Sequence, residues 1–123
     1  MRILIVDDHV DTTNMLTRWL VALGHDARAA NTAADALATL PGGGPFDVVV
    51  CDLSLPDLDG ADLLPQLRAA GCTAPAVAVS GHAGGTARSL AAGFAAHLAK
   101  PVDLDSLGSL LGQVSAAGRP PGG

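Results

Sequence analysis

The sequence contains few of the side chains that bind nucleic acids or anionic surfaces. Its 123 residues include no tyrosine, no glutamate, a single lysine and three aromatic residues, and the formal net charge is −5. An acidic chain without a basic run does not match a protein whose main partner is nucleic acid or an anionic membrane. Three aromatic residues also do not form the stacking platform with which proteins bind single-stranded nucleic acid.

Long hydrophobic runs are missing as well. The first apolar segment is interrupted by Arg2, Asp7 and Asp8, before it reaches the length of a membrane span or resembles a signal peptide. Cys51 and Cys72 form neither a disulfide framework nor a metal-binding spacing. Because 49% of the residues are apolar and only 15% are charged, we expect the chain to bury its own core, as a cytoplasmic protein of one domain.

Hydrophobic patterns predict five strands that alternate with five helices. Three strands are continuous apolar runs, which is typical of strands covered on both faces, and two are diluted by polar residues or alanine. This alternation predicts a doubly wound parallel sheet, and placing the two diluted strands at the edges gives the order 2-1-3-4-5. The domain is predicted to span residues 1–115, followed by a flexible Gly/Pro tail or linker at 116–123. The predicted strands are Ile3–Val6, Asp26–Ala30, Val48–Cys51, Ala76–Val79 and Ala96–Ala99.

Glycine, proline and threonine set the predicted limits of the first two helices. The first helix is predicted to end at Gly24. Thr32 and Asp35 have the spacing of a capping box, which predicts the start of the second helix, and the segment Pro41–Pro45 predicts a loop after it. By their helical spacing, the core-facing residues of the first helix are Met15, Leu16, Trp19, Leu20 and Leu23.

The other three helices are predicted from shorter patterns. Asp62 is predicted to cap the third helix, in which Pro65 is tolerable only in the first turn. An alanine-rich stretch, Arg88–Ala92, predicts a short fourth helix between glycines. Asp103 is predicted to cap the last helix, whose inward-facing residues would be Leu104, Leu107, Leu111 and Val114.

Acidic residues follow the first and third predicted strands. Asp7 and Asp8 come after the first strand, and Asp52 comes after the third. In doubly wound sheets the functional site lies outside the carboxyl ends of the strands where the order reverses, so these carboxylates should converge. Converging carboxylates repel one another unless a cation or a proton relieves the charge. Since Mg²⁺ prefers oxygen ligands, water and phosphate, the pattern predicts a magnesium site shared with a phosphoryl group.

Two more strand ends carry complementary groups. Ser80 ends the fourth strand beside Gly81, where a small backbone lets an anion approach, and Lys100 ends the fifth. A lysine ammonium is a compact charge suited to a phosphoryl oxygen. Phosphoryl transfer needs mainly in-line positioning and neutralisation of charge. These groups around a carboxylate nucleophile predict the formation of an aspartyl phosphate.

Together with several further motifs, these residues make the sequence resemble the receiver domain of two-component response regulators over residues 2–115. The resemblance implies a flavodoxin-like fold. The segment 97–103 is most similar to receivers attached to hybrid histidine kinases. The motifs that carry the resemblance are Asp7-Asp8, Asp52, Leu55-Pro56, Asp59-Gly60, Ser80-Gly81, Gly93-Phe94 and Lys100-Pro101.

The resemblance implies roles for the acidic residues. Asp52 would be the phospho-acceptor, supplied by a histidine kinase or a phosphotransfer domain. Asp8 and Asp52, with the backbone carbonyl of Ser54, would bind Mg²⁺ or Mn²⁺ directly, and Asp7 would act mainly through water. The downstream effector protein is not indicated.

The resemblance also implies a phosphorylation switch. Ser80 would be the switch hydroxyl, with Gly81 and Lys100 beside the phosphate. His97 stands where the family usually has tyrosine or phenylalanine, and His82 stands where the family often tunes the access of water to the acyl phosphate. The face formed by the fourth helix, the fifth strand and the last helix would bind partners.

Two alternative functions stay open at this stage. One is a pseudo-receiver, a binding scaffold that no longer uses phosphate, which the departures at Ser80 and His97 permit. The other is a phosphatase of the haloacid dehalogenase kind. Those enzymes carry a second aspartate two residues after the nucleophile, where this chain has Ser54, and no cap domain fits in 123 residues.

The remaining polar residues receive structural interpretations. His9 is interpreted as a solvated neighbour of the site. Cys51 is interpreted as a small core residue beside the nucleophile. Turn and helix-capping roles are assigned to Asp57, Asp59 and Asp62.

Overall fold

The computed structural model shows strands and helices in alternation. It describes residues 1–43, 46–81, 93–100 and 103–118. The strands are β1 (Arg2–Val6), β2 (Asp26–Ala30), β3 (Val48–Asp52), β4 (Ala76–Ser80) and β5 (Ala96–Ala99). The helices are α1 (Val10–Ala22), α2 (Ala33–Gly43), α3 (Gly60–Ala69) and α4 (Leu104–Gly118). The short helix predicted at 88–92 lies outside the described residues and carries no label.

All four strand pairings are parallel, and the order is β2-β1-β3-β4-β5, which confirms the predicted topology. The apolar strands β3 and β4 are buried throughout, and β1 is buried except at its first residue. The diluted strands β2 and β5 lie at the edges and are largely exposed or half-buried. Continuous apolar runs therefore indicated the central strands correctly, because only central strands are covered on both faces.

Alternate residues of β1 face two separate hydrophobic cores. Ile3 and Ile5 belong to the core that contains α1 and α4 residues, whereas Leu4 and Val6 belong to the core that contains α2 and α3 residues. Side chains alternate in this way along any strand, so helices must cover both faces of the sheet. The central helical contributions are Leu63, Leu64 and Leu67 from α3, and Leu107, Leu111 and Val114 from α4.

The predicted core face of the first helix is only partly right. Met15 is 49% exposed and Leu23 is 56% exposed, so neither faces the core. The buried stripe of α1 is narrow, and Met15 lies to one side of it between Thr13 and Leu16, whereas Leu23 is the C-cap residue beyond the helix. The chain leaves the helix through Gly24, whose φ is 93°, a conformation that favours glycine. The buried residues of α1 are Thr13, Leu16 and Leu20.

The limits of the second and third helices correct the predictions. α2 continues to Gly43, so the loop predicted from Pro41 begins too early, because proline removes one donor but has a helical φ. α3 is capped by Asp59 and not by Asp62, since the Asp59 carboxylate accepts the Ala61 N–H at 2.9 Å. Pro65 consequently lies past the first turn, and the buried leucines of α3 stabilise the helix despite the missing donor.

The last helix begins where it was predicted and extends further. The Asp103 carboxylate accepts hydrogen bonds from the Ser106 N–H (3.3 Å) and hydroxyl (2.7 Å), which lower the pKa of Asp103. α4 runs to Gly118, so the tail predicted from Ala116 starts too early, because alanine favours a helical continuation. Within the described part of the chain, no helix is long and apolar enough to cross a membrane.

Candidate functional site

Asp7, Asp8 and Asp52 converge at the carboxyl ends of β1 and β3. The pairing of Val6 with Cys51 ends the register of these strands and brings the acidic residues that follow side by side. Asp7 and Asp52 are only 5% and 3% exposed, whereas Asp8 lies at the exposed rim. Each offers a carboxylate oxygen, and these oxygens lie within 4.8 Å of one another. The strand order thus produces the concentration of negative charge that the sequence predicted.

Lys100 reaches this cluster from the end of β5. Its Nζ lies 2.9 Å from Asp52 Oδ2 and 3.4 Å from Asp7 Oδ2. Its backbone N–H donates to the Ser80 carbonyl at 3.0 Å, which fixes the residue beside β4. Burial alone would lower the pKa of Lys100, but the hydrogen bond to Asp52 and the charges of Asp7 and Asp52 outweigh it and raise the pKa. The ammonium therefore remains charged where negative charge is densest.

The loop after β3 orients the Asp52 carboxylate from the other side. Asp52 Oδ1 accepts the Ser54 N–H at 2.9 Å, while Oδ2 accepts from Lys100. Ser54 pairs with Asp59 in an isolated antiparallel bridge, just before α3. A side chain at Gly60 would put its Cβ 2.5 Å from the Asp52 carbonyl oxygen, so the close approach of α3 to β3 requires glycine. Both carboxylate oxygens of Asp52 are thus held in place.

The other residues of the predicted site have different positions. Ser80 is buried at the end of β4, next to the rim where Asp52 and Lys100 meet. Gly81 follows it on the surface, with open space at its Cβ position. His97 is half-buried in β5, where it pairs in register with Ala78, away from the strand end. His82 lies outside the described residues.

His9 touches the acidic cluster, which the sequence interpretation missed. Its Nδ1 lies 3.0 Å from Asp7 Oδ1 and 3.1 Å from Asp8 Oδ1, although most of the ring is exposed. Its backbone N–H also donates to Asp7 Oδ1 at 2.9 Å. The position of His9 directly after Asp7 and Asp8 was the sequence signal that could have indicated this contact.

Asn31 is a second missed residue. Its Nδ2 donates to the Asp7 carbonyl at 2.9 Å and to the Thr13 hydroxyl at 3.1 Å. The parallel register of β1 with β2 pairs Val6 with Ala30 and so brings Asn31 beside Asp7. Asn31 therefore ties the end of β1 to α1, a contact that depends on strand register and that no local sequence pattern indicates.

Asp57 caps a helix, as its interpretation proposed, but the helix is α2. Its two carboxylate oxygens accept the N–H groups of Ala33 (2.9 Å) and Ala34 (3.1 Å), which lower the pKa of Asp57. The Thr32 hydroxyl accepts the Asp35 N–H at 3.0 Å, as the predicted capping box requires. The loop that follows the candidate acceptor is thereby attached to the neighbouring helix.

Cys51 is a core residue, as predicted. Burial, with the nearby charges of Asp52 and Asp7, raises the pKa of its thiol to about 12. The thiol is therefore protonated at neutral pH and is not a nucleophile there.

A cavity of about 500 Å³ adjoins the cluster. Its polar lining includes Asp7, Asp52 and Lys100, and Leu16 and Leu107 belong to its apolar lining between the sheet and the helices. The carboxylates of Asp7, Asp8 and Asp52 are hard oxygen donors close to one another, and they fit a divalent cation such as Mg²⁺.

Comparison with known proteins identifies the family. The family model for the response regulator receiver domain matches residues 3–111. The chain therefore belongs to the response regulator receiver domain family, as the sequence motifs indicated.

Individual relatives agree with this assignment. The chain is 38% identical over 109 residues to the sensor histidine kinase RcsC of Salmonella typhi, a match that covers 87% of this chain and 11% of RcsC. It is 33% identical over 126 residues to the transcriptional regulatory protein TcrA of Mycobacterium tuberculosis, covering 98% of this chain and 49% of TcrA. The chain thus spans about a tenth of RcsC and about half of TcrA.

Solved structures show the same fold. A CheY-like response regulator receiver domain protein from Methanospirillum hungatei superposes with a TM-score of 0.87 at 28% identity. The superposition covers 95% of this chain and 94% of that one. The five-stranded parallel sheet of this chain is thus the receiver fold.

Proposed function

We propose that this chain accepts a phosphoryl group on Asp52 in two-component signal transduction. The donor would be the phosphohistidine of a histidine kinase or of a phosphotransfer domain. The proposal rests on one observation above all: the buried Asp52 carboxylate lies 2.9 Å from the Lys100 ammonium and within the acidic cluster. The similarity to RcsC and TcrA supports signalling through such a partner. In this proposal the chain acts in the cytoplasm as a phospho-acceptor that catalyses only its own phosphorylation and slow dephosphorylation.

The transfer would need few groups. An Asp52 carboxylate oxygen attacks the phosphorus in line, the P–N bond to the donor histidine breaks, and its electron pair returns to the imidazole, which gains a proton from water. Lys100 neutralises charge on the phosphoryl oxygens, and the Ser54 N–H holds the carboxylate in position. Asp8, Asp52 and the Ser54 carbonyl would hold Mg²⁺ or Mn²⁺, with Asp7 acting through water, and the cation would add further charge neutralisation.

A conformational response would follow the added charge. Ser80 and Gly81 stand beside the rim, and the phosphate would draw the Ser80 hydroxyl and Lys100 toward it. His97 in β5 would transmit the change to the partner-binding face, to which β5 and α4 belong among the described elements. His82 keeps its hypothesised role in tuning the access of water to the acyl phosphate.

Acetyl phosphate with Mg²⁺ tests the assignment without a partner kinase. We expect a mass increase of one phosphoryl group, mapped to Asp52, and complete loss of the product in Asp52→Ala. Asp62→Asn is the matched control, since it changes an exposed aspartate of α3. A phosphoryl group on another residue would contradict the assignment. An unmodified chain that also binds no Mg²⁺ would support the pseudo-receiver alternative.

A further inference from the structure

We propose that His9 is an additional ligand of the cation and shifts the site toward divalent transition metals that bind imidazole. This inference rests on the proposed function, because it assumes a cation between Asp8 and Asp52. It goes beyond that function because it adds His9, a nitrogen donor, to the proposed oxygen ligands and assigns a metal preference to the site.

The separations of the donor atoms carry the proposal. In an octahedral shell with bonds of about 2.1 Å, neighbouring ligand atoms lie about 3.0 Å apart, since the edge is √2 times the bond length. His9 Nδ1 lies 3.0 Å from Asp7 Oδ1 and 3.1 Å from Asp8 Oδ1. The imidazole nitrogen and the Asp8 oxygen thus have the spacing of adjacent ligands of one ion. The contact to Asp7, which would act through water, is a hydrogen bond that orients the ring.

The surroundings of His9 leave the ring available. The His9 side chain is 65% exposed, so it can adjust toward an ion without disturbing the core. Its backbone lies at the N-cap of α1, and its N–H donates to Asp7 Oδ1, which fixes the residue against the cluster. The backbone of His9 is therefore fixed beside the cluster, with the ring within reach of both carboxylates.

The chemistry of imidazole decides which ions would bind more tightly when His9 is a ligand. Mg²⁺ is a hard cation that retains water and prefers oxygen, so it gains little from a ring nitrogen. Co²⁺ and Ni²⁺ are bound well by imidazole and rank above Mn²⁺ and Fe²⁺ in general affinity. His9 should therefore raise the ratio of Co²⁺ affinity to Mg²⁺ affinity, while carboxylates alone would favour both ions through charge.

Titration calorimetry of the intact chain with CoCl₂ and, separately, MgCl₂ tests this preference. His9→Gln should weaken Co²⁺ binding by about tenfold or more and Mg²⁺ binding by less, so the affinity ratio falls. Proton NMR with Co²⁺ should show strongly shifted imidazole resonances in the wild type that are missing in His9→Gln. His25→Gln is the matched control, because His25 contacts the N-terminal amine and not the cluster.

The outcomes separate this inference from the proposed function. A lower ratio together with the loss of the shifted resonances supports His9 as a ligand. An unchanged ratio in His9→Gln overturns the inference, and if acetyl phosphate still labels Asp52 of the wild type, the proposed function stands. A wild-type chain that binds neither ion and is not labelled overturns both.

Discussion

The aspartates of this chain occupy two contrasting environments. At the ends of β1 and β3, Asp7 and Asp52 are buried together and repel one another, and Lys100 lies between them. On the surface at the start of a helix, Asp57 accepts two backbone N–H groups, and Asp103 accepts the Ser106 hydroxyl and N–H. These hydrogen bonds stabilise the charged form of each carboxylate. Carboxylates are thus concentrated around a single ammonium in one region, and each is stabilised separately at a helix start in the other.

The contrast explains why only one region is suited to chemistry. The carboxylates of Asp57 and Asp103 are each exposed, and their hydrogen bonds at a helix start already stabilise the charge. The buried cluster has more negative charge than Lys100 can balance, so a cation or a transferred phosphoryl group with its cation would relieve it. Substitutions in each region can change the stability of the protein separately and so test this difference.

The largest effect on the free energy of unfolding is expected at Gly60, where the start of α3 lies against the end of β3. In Gly60→Ala the new Cβ would lie 2.5 Å from the Asp52 carbonyl oxygen and 2.8 Å from Leu53 Cα, both on the backbone. Because backbone atoms cannot rotate away, α3 must move from β3, at a cost of about 3 kcal/mol in the free energy of unfolding. Urea denaturation measures this cost, and acetyl phosphate labelling should also fall as Asp52 shifts.

The matched control is Gly112→Ala in α4. Nothing lies within 4 Å of a Cβ there, so alanine should stabilise the helix by about 0.5–1 kcal/mol. Equal effects of the two substitutions would mean that the contact between α3 and the end of β3 does not constrain the site.

The next largest effect is expected from removing the ammonium of the cluster. Lys100→Met leaves the carboxylates of Asp7 and Asp52 buried without their cationic partner. We expect a loss of about 2 kcal/mol in a chelator, less than for a fully buried pair because Lys100 retains access to water. Chemical denaturation with and without Mg²⁺ measures it, and Mg²⁺ should recover most of the loss.

Two further variants define the cause. Adding Asp52→Asn to Lys100→Met should restore part of the stability, since one of the repelling charges is removed. Arg28→Met removes an exposed positive charge from the edge strand β2 and should have little effect. If Arg28→Met destabilised as much as Lys100→Met, overall charge and not the cluster would be the cause.

The same contrast shows what the sequence could predict. Strand order and the convergence of Asp7, Asp8 and Asp52 followed from apolar runs, because a central parallel strand must be hydrophobic on both faces. The error at Met15 arose because helical periodicity gives the direction of a core face but not its width. Apolar runs within a strand were therefore predictive, whereas the helix limits predicted at Pro41 and Asp62 and the width of a helical core face were not.

Individual hydrogen bonds between elements distant in sequence could not be predicted. Asn31 meets Asp7, and Asp57 meets Ala33, over separations of 24 residues that only the assembled sheet brings together. The contact of His9 with two carboxylates depends on its side-chain rotamer, which adjacency in the sequence permits but does not determine. The membership of the site was therefore predictable in part, and its supporting contacts were not.

The smallest effect is expected at the capping carboxylate of Asp57. Its hydrogen bonds to Ala33 and Ala34 lower its pKa in the folded state, so its stabilisation is complete above the ordinary aspartate pKa of 3.8. That stabilisation is lost as the pH falls through the lower, folded-state pKa. Asp57→Ala should therefore be less stable than the wild type at pH 7, and the difference should shrink in acid. Asp35→Asn removes a charge from the same end of α2 without those two bonds, so a matching pH dependence there would attribute the effect to general charge and not to the cap.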